Sequence, residues 1–155
     1  MSGKTTYMNQ IALITIMAQM GCFVPCVFAS IRLTDNLLSR IGRDNGIEVC
    51  YDIIIQANSS SFTIEMRETA FILEQITDSS LVIIDELGRG TSNLDGLAVN
   101  IAACEELLES KAFVFIVTHF TEVPIFFADS TAVVSLHLQV SVCLSLPRRQ
   151  RIRVR

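Results

Sequence analysis

The sequence predicts an α/β domain in which a parallel sheet is flanked by helices. Two short apolar runs, at 81–84 and 113–117, have the composition of buried strands. Segments with helical character lie between these strands and around them, and such alternation is typical of a parallel sheet. Half of the 155 residues are hydrophobic and 18% are charged, so we expect one domain, or a piece of one, with a substantial core.

The first forty residues are expected to form a helix, a strand and a short second helix. Residues 4–20 are apolar on nearly every side, which predicts a buried helix that Gly21 stops. Residues 28–33 alternate apolar with small or polar side chains and predict a strand. Thr34 and Asp35 are expected to cap a short helix that runs to Ile41. Residues 42–46 are then a loop.

Two amphipathic helices are expected on either side of the first aliphatic run. Polar residues 58–61 precede a helix that begins at Phe62, with Glu65 near the position of a capping box. Its apolar stripe consists of Phe62, Met66, Ala70, Leu73 and Ile76. The later helix starts after Asp95-Gly96, ends near Ser110 and carries Leu97, Ile101, Cys104 and Leu108 on one face. Residues 47–57, taken alone, could be a strand.

Two adjacent acids, Asp85 and Glu86, directly follow the aliphatic run 81–84. The carboxyl ends of strands are where α/β sheets bind ligands. Asp85 is suited to holding a hydrated Mg²⁺ ion, and Glu86 to orienting and deprotonating an attacking water. Alone, the pair is explained equally well by a strand that ends in a solvated turn.

A second element, Gly3-Lys4-Thr5, favours the chemical interpretation. These residues match the closing half of a phosphate-binding loop, in which backbone N–H groups cradle phosphates, Lys adds positive charge and Thr reaches the metal. The opening half, which needs a Gly five residues before Gly3, is missing. The triplet stands before a long helix and about 80 residues ahead of Asp85 and Glu86, so together they predict a nucleotide site.

His119 lies just after the second apolar run, 113–117, as the two acids lie just after the first. A lone histidine is more often structural, but this position favours a contact to the terminal phosphate. His137 lies in a weaker apolar stretch and is interpreted as structural.

Charge argues against a DNA-binding face within the globular part. Residues 1–147 carry seven basic and sixteen acidic side chains, a net charge of −9, whereas five arginines lie in 148–155. Phosphate neutralisation needs a basic surface, so contact with DNA is expected from sequence outside this chain. The apolar stretch 11–31 is interrupted by Gln19, Gly21 and Pro25, which makes a membrane span improbable.

The five cysteines are an odd number in apolar surroundings. Cys22 and Cys26 are four apart, yet no further Cys or His lies nearby to complete a metal site. Buried free thiols in a reducing compartment are therefore expected.

Several segments resemble the ATPase domain of MutS-family proteins and occur in the order found there. They are 3–7, 17–25, 60–62 with 65–66, 85–92, 95–96 and 118–120. The resemblance covers roughly residues 1–140 and leaves 141–155 as a divergent Arg-rich tail. It implies the fold of a P-loop NTPase similar to ABC-type ATPases, here lacking its first strand, in a nuclear, dimeric, DNA-binding protein that recognises mispairs or branched recombination intermediates.

The resemblance also implies a role for each matched position, with ATP and Mg²⁺ as ligands. The residues that would bind ATP are Ser2, Gly3, Lys4, Thr5 and Thr6. Thr5 and Asp85 would hold Mg²⁺. The catalytic residues would be Glu86, which acts on the water, and His119, which senses the γ-phosphate. Ser60 would reach the ATP of a second MutS-family subunit, and the loop 93–95 would lie at the dimer interface.

Within the family, residues 58–62 and 118–124 resemble the eukaryotic meiotic homologue, whereas 23–26 are more similar to the repair subunit; the meiotic subgroup is slightly favoured. The absent half-loop and an apparent insertion at 49–57 predict impaired ATPase activity in this chain. Two alternatives stay open: a truncated, non-catalytic dimerisation fragment, and another ABC-like ATPase, which would carry a Leu-Ser-Gly-Gly-Gln loop where this chain has 60–62.

Overall fold

A computed structural model describes residues 3–41, 60–141 and 151–154. Ser2, the predicted loop at 42–46 and the stretch 47–59 lie outside these residues, as does most of the Arg-rich tail. The described helices are α1 (Lys4–Gln19), α2 (Ser61–Gln75), α3 (Asn93–Glu109) and α4 (Glu122–Phe126). The strands are β1 (Leu37–Arg40), β2 (Leu81–Asp85), β3 (Phe113–Val117), β4 (Leu138–Ser141) and β5 (Arg151–Val154).

The predicted parallel sheet is present, with strand order β1-β2-β3. Leu37 pairs with Leu81, and Leu81 pairs with Phe113, so the three strands start and end together. β2 is the central strand of the three, and all five of its residues are buried. Since the three strands are parallel and in register, their carboxyl ends lie at one edge of the sheet. The strands β4 and β5 form a separate antiparallel pair.

Successive residues of β2 point to opposite faces of the sheet, and each face is covered by helices. On one face, Leu81 and Ile83 pack against Met8 and Ala12 of α1. On the other face, Val82 and Ile84 pack against a cluster from α2 and α3 that includes Ile72, Ala103 and Leu107. Because helices cover both faces of the sheet, every residue of β2 before Asp85 is apolar.

The helix α1 ends where the sequence predicts. Met20 is the C-cap, and Gly21 takes a left-handed φ of 76°. The N–H of Cys22 donates to the Met17 carbonyl at 2.8 Å, and that of Gly21 donates to the Ala18 carbonyl at 3.0 Å. These two bonds form a Schellman motif, in which glycine supplies the left-handed residue without steric cost.

The expectation that α1 is buried on nearly every side is wrong. Met8, Ala12 and Thr15 form its buried face, while Leu13 is 59% exposed and Ile16 is also exposed. The helix packs against one face of the sheet, so only one side of it is buried although apolar residues occur on every side. Among the described residues, no helix is long and apolar enough to cross a membrane.

The predicted strand at 28–33 and the short helix ending at Ile41 are both wrong, since β1 is formed by Leu37–Arg40. The carboxylate of Asp35 caps no helix. It accepts hydrogen bonds from the hydroxyls of Thr77 and Ser80, 2.5 and 3.1 Å away, in the turn before β2. These bonds fasten the chain beside β2, so the following residues pair as a strand. Phe28, within the predicted strand, is 84% exposed.

The later helices begin close to the predicted positions. The hydroxyl of Ser60 accepts the N–H of Thr63 at 3.2 Å and caps α2. Glu65 takes no part in this cap and is buried instead, while Ala70 of the predicted apolar stripe is exposed. Residues 93–95, expected as a loop, form the first turn of α3.

Candidate nucleotide-binding site

The start of α1 has the form expected of a phosphate-binding turn. Gly3 caps the helix with a φ of 79°, a left-handed conformation that favours glycine. The first N–H groups of a helix lack intrahelical acceptors and carry the positive end of its dipole, which suits an anion. Lys4 extends from this turn towards β3, where its ammonium group donates to the Thr118 carbonyl at 3.4 Å. Thr6 is exposed in the same turn.

Thr5 and Asp85 are in direct contact. The Thr5 hydroxyl donates to Oδ2 of Asp85 at 2.6 Å. Asp85 is only 3% exposed, and its other oxygen, Oδ1, is buried without a hydrogen-bond partner. A buried carboxylate oxygen without a donor is costly, because it has lost its water. The pair therefore presents an acceptor that a cation can satisfy.

The donor set at this point fits Mg²⁺. A carboxylate and a hydroxyl are hard oxygen ligands, and Mg²⁺ sites commonly use one or two carboxylates together with substrate phosphates and waters. The described residues contain no group of three His, Cys, Asp or Glu side chains that could hold a metal. A site of this kind would therefore depend on phosphate and water to complete the coordination.

Glu86 occupies the turn that leaves β2. Its φ of 49° is left-handed, which is uncommon for a residue other than glycine and frequent at functional sites. Its N–H donates to the Val117 carbonyl at 2.8 Å and so continues the sheet by one bond. Its carboxylate accepts a hydrogen bond from the exposed Arg89 guanidinium at 2.7 Å. The structure thus holds a half-buried carboxylate beside Asp85, engaged by a surface arginine.

His119 follows β3 and is exposed. Its ring lies on the ring of the buried Phe120, with a centroid distance of 4.1 Å. Since Phe120 packs with Cys104 and Val123 in a small cluster, the imidazole has a fixed platform at the carboxyl edge of the sheet. Three of the predicted groups, from the start of α1, the end of β2 and the end of β3, therefore share this edge.

Ser60 is placed differently. Its hydroxyl lies 2.9 Å from the hydroxyl of Thr63 and accepts the N–H of that residue within the first turn of α2. Both bonds are internal to this turn. Ser60 is exposed there, as a residue that contacts a second subunit would be.

Two glycines shape the loop between Glu86 and α3. Gly88 takes a φ of 84°, and a Cβ at this position would lie 2.6 Å from the carbonyl oxygen of Gly96. A Cβ at Gly96 would in turn collide with the Gly88 carbonyl. The two backbones touch, so neither position has space for a side chain.

Three buried polar residues near the site were missed from the sequence: Arg40, Glu65 and Asn100. Asn100 is fully buried, and its amide donates to the Leu87 carbonyl at 3.0 Å, which supports the loop from below. Glu65 lies on the buried face of α2 with Thr69 and Ile72. A carboxylate in line with a buried face needs a cationic partner, and that requirement was a signal available in the sequence.

The prediction of buried thiols is wrong for two of the three described cysteines. Cys22 and Cys26 are exposed, whereas Cys104 is buried in α3. Burial raises the pKa of the Cys104 thiol to about 11, with a smaller contribution from the neighbouring Glu105 carboxylate. Its thiol is 3.6 Å from Oδ1 of Asn100. This thiol supports packing beside the loop and is neutral at physiological pH.

Comparison with known proteins identifies relatives of this chain. A family model described as MutS domain V matches residues 1–151. The chain is 45% identical to MutS protein homolog 4 of Mus musculus over 140 residues, which cover 90% of the chain and 14% of that protein. It is 48% identical to DNA mismatch repair protein MSH4 of Arabidopsis thaliana over 119 residues, 77% of the chain and 14% of that protein. It is 44% identical to MutS protein homolog 4 of Homo sapiens over 140 residues, with 90% and 14% covered. The chain thus spans about a seventh of the length of these relatives.

Proposed function

This chain belongs to the MutS family, and from that premise we propose that it forms the ATP-binding and ATP-hydrolysing domain of a MutS-type DNA-binding protein. The observation that carries the proposal is the contact between Thr5 and Asp85, which joins the Gly-Lys-Thr turn to the acidic end of β2. An unpartnered buried oxygen on Asp85 adds a reason for a cation to bind there. The fold proposed is that of a P-loop NTPase.

Phosphate binding is assigned to the start of α1. The first N–H groups of α1 point towards its N-terminus, next to the left-handed Gly3, and an anion is favoured there. Lys4 holds its ammonium group at the Thr118 carbonyl, between α1 and β3. A phosphate at this position competes with that weak 3.4 Å bond and gains a charged donor.

The metal site is assigned to Thr5 and Asp85. Mg²⁺, when bound, neutralises negative charge on the phosphate oxygens. The hydroxyl of Thr5 would supply one ligand, and the carboxylate of Asp85 would act directly or through a water. Asp85 is buried at the end of the central strand, and this position holds its carboxylate in place.

Hydrolysis is assigned to Glu86 with His119. Glu86 accepts the proton of the attacking water from its position directly after the central strand. Arg89 is ion-paired with one oxygen of this carboxylate, Oε2, at 2.7 Å, and Oε1 is the oxygen that would accept the proton. His119 donates to the terminal phosphate from its platform on Phe120.

The remaining parts of the proposal concern the whole protein. A second MutS-family subunit would complete the site, with Ser60 reaching the nucleotide of that subunit, so an isolated monomer is expected to be nearly inactive. DNA would be bound by regions outside this chain, since residues 1–147 are acidic overall. Similarity to MutS homologue 4 proteins favours a nuclear role in meiotic recombination over general mismatch repair.

The test is Mg²⁺-dependent ATP binding by this chain and by the same chain extended upstream to supply a complete phosphate loop. We expect the extended chain to bind, and Asp85→Asn to remove the dependence on Mg²⁺. Binding by the extended chain alone supports the motif interpretation and makes this polypeptide an incomplete domain. If neither form binds, the site is vestigial, and a non-catalytic dimerisation fragment becomes the better description.

A further inference from the structure

Helix α2 carries a buried carboxylate that joins two other elements. Oε1 of Glu65 lies 3.0 Å from Nη2 of Arg40, at the end of β1. Oε2 of the same side chain accepts the backbone N–H of Gly88 at 3.1 Å, two residues after Glu86. Each carboxylate oxygen therefore has its own partner, one on a strand and one on the catalytic loop.

Arg40 extends this arrangement to the other side of Glu86. Its residue is buried, and Nη1 donates to the backbone carbonyl of Asp85 at 2.6 Å. Its Nε lies 3.6 Å from a carboxylate oxygen of Glu68, one turn further along α2. Removing one partner from a buried ion pair leaves an uncompensated charge, so the group is held as a unit.

The two attachments lie on either side of Glu86. Asp85 is held through its carbonyl by Arg40, and Gly88 is held through its N–H by Glu65. Glu86 lies between these two points in its left-handed conformation. Its backbone can turn only if one of the two hydrogen bonds gives way.

A third contact fixes the same loop against the start of α2. A Cβ at Gly90 would lie 2.9 Å from the Ser61 hydroxyl and 3.1 Å from the Phe62 nitrogen. The loop thus rests on α2 at Gly90 as well as at Gly88. The position of α2 determines where Glu86 stands.

We propose that Glu65 is a positioning residue which, with Arg40 as its partner, fixes the backbone on both sides of Glu86 in the geometry needed for hydrolysis. The inference rests on the proposed function, because it assigns the network to the same reaction. Within the part of the chain that the structure describes, neither side chain is hydrogen-bonded to Gly3, Lys4 or Thr5. The pair therefore acts on turnover through the backbone, and at saturating Mg²⁺ we expect nucleotide affinity to stay nearly unchanged.

The experiment is steady-state ATP hydrolysis by the full-length protein that carries this domain, with its dimer partner. The variants are Glu65→Gln, Glu65→Ala and Arg40→Lys. The matched control is Glu74→Gln, an exposed glutamate of the same helix. Glu86→Gln reports separately on the proposed function. Thermal unfolding of every variant measures the folded fraction.

We expect Glu65→Gln to lower kcat about tenfold or more, since small displacements of reacting groups are expensive, while the KM for ATP stays within about twofold. Glutamine keeps an acceptor for Gly88 but loses the charge that Arg40 requires. Glu65→Ala loses both and should be slower still. Arg40→Lys should resemble Glu65→Gln, because an ammonium group cannot reproduce the guanidinium fork.

Two results overturn the inference. One is that Glu65→Gln and Arg40→Lys keep the kcat of the Glu74→Gln control while Glu86→Gln is inactive; the proposed function then stands without it. The other is that kcat falls in both variants only as far as the folded fraction falls, which assigns the pair a structural role. If Glu86→Gln hydrolyses ATP like the wild type, the proposed function itself fails.

Discussion

Thr5 and Asp85, 80 residues apart in the chain, are joined by a hydrogen bond of 2.6 Å. The bond exists because α1 packs on the face of β2 that bears Leu81 and Ile83, which brings the first turn of the helix to the carboxyl end of the strand. A hydroxyl donor occupies one oxygen of Asp85 and leaves the other buried and unpartnered. The packing of α1 on the sheet therefore brings together the two residues that we propose as the metal site.

Replacement of Thr5 tests this half of the site. Thr5→Val removes the hydroxyl at nearly constant volume, and we expect the Mg²⁺ concentration needed for ATP binding to rise by about 10–100-fold. Thr5→Ser keeps the hydroxyl and should stay close to wild type. Titration of ATP binding against Mg²⁺ measures the change. Equal behaviour of the two variants would place the metal elsewhere.

Replacement of Glu86 tests the chemical step. Glu86→Gln removes the base without changing the shape of the side chain, so ATP hydrolysis should fall by about 100-fold or more while ATP binding is kept. The control is Glu109→Gln, at the exposed end of α3. Hydrolysis and binding are measured on the same samples of the full-length protein. Unchanged turnover in Glu86→Gln would remove this residue from the mechanism.

The contact between Gly88 and Gly96 predicts a stability difference between two glycine replacements. Gly88→Ala combines a left-handed φ with a clash against backbone, whereas Gly21→Ala has a similar φ of 76° and open space around its Cβ. Both variants carry the left-handed strain of about 1–2 kcal/mol. We expect the free energy of unfolding of Gly88→Ala to be lower than that of Gly21→Ala by about 1–3 kcal/mol, because of overpacking.

Urea denaturation of both variants measures that difference in the free energy of unfolding. Because Gly21 is exposed at the end of α1, its variant isolates the cost of the backbone conformation. Equal losses in the two variants would show that the loop moves aside without penalty.

The Cys104 thiol predicts a dependence of stability on alkaline pH. Burial raises its pKa from 9.0 to about 11, so the folded domain holds this proton more tightly than the unfolded chain. The associated stability is intact below pH 9 and is lost as the pH rises through about 11. Cys104→Ala should therefore lose less stability across this interval than Cys22→Ala, whose thiol is exposed. Parallel curves of unfolding free energy against pH for the two variants would contradict the assignment.

The sheet and its acidic edge were predictable because their signals are local. Aliphatic composition identifies β2 and β3, and the order of strands and helices implies parallel pairing. The strand β1 was not predictable in this way. Its position depends on Asp35, whose partners Thr77 and Ser80 lie more than 40 residues away. A local pattern at 28–33 predicted a strand where the structure has none, although Arg32 donates to the Asp78 carbonyl in the same turn at 3.1 Å.

The candidate site divides along the same line. Gly3, Lys4, Thr5, Asp85 and Glu86 could be named from the sequence, because each lies in a motif or directly at a strand end, and their roles stay predictions. Arg40 and Glu65 were not, since each is explained only by the other and by backbone atoms of the loop. When a charged residue pairs with a buried partner far away in the chain, a single sequence gives only a weak signal, which here is a carboxylate on the buried face of a helix.

The bare backbone contact between Gly88 and Gly96 also has a mechanical consequence. With no side chain between them to compress, the loop and the first turn of α3 have no clearance. A push on the loop is therefore delivered directly to α3, a rod of 17 residues and about 25 Å. Because neither glycine has a side chain, the proposed catalytic loop and α3 are coupled through backbone atoms alone.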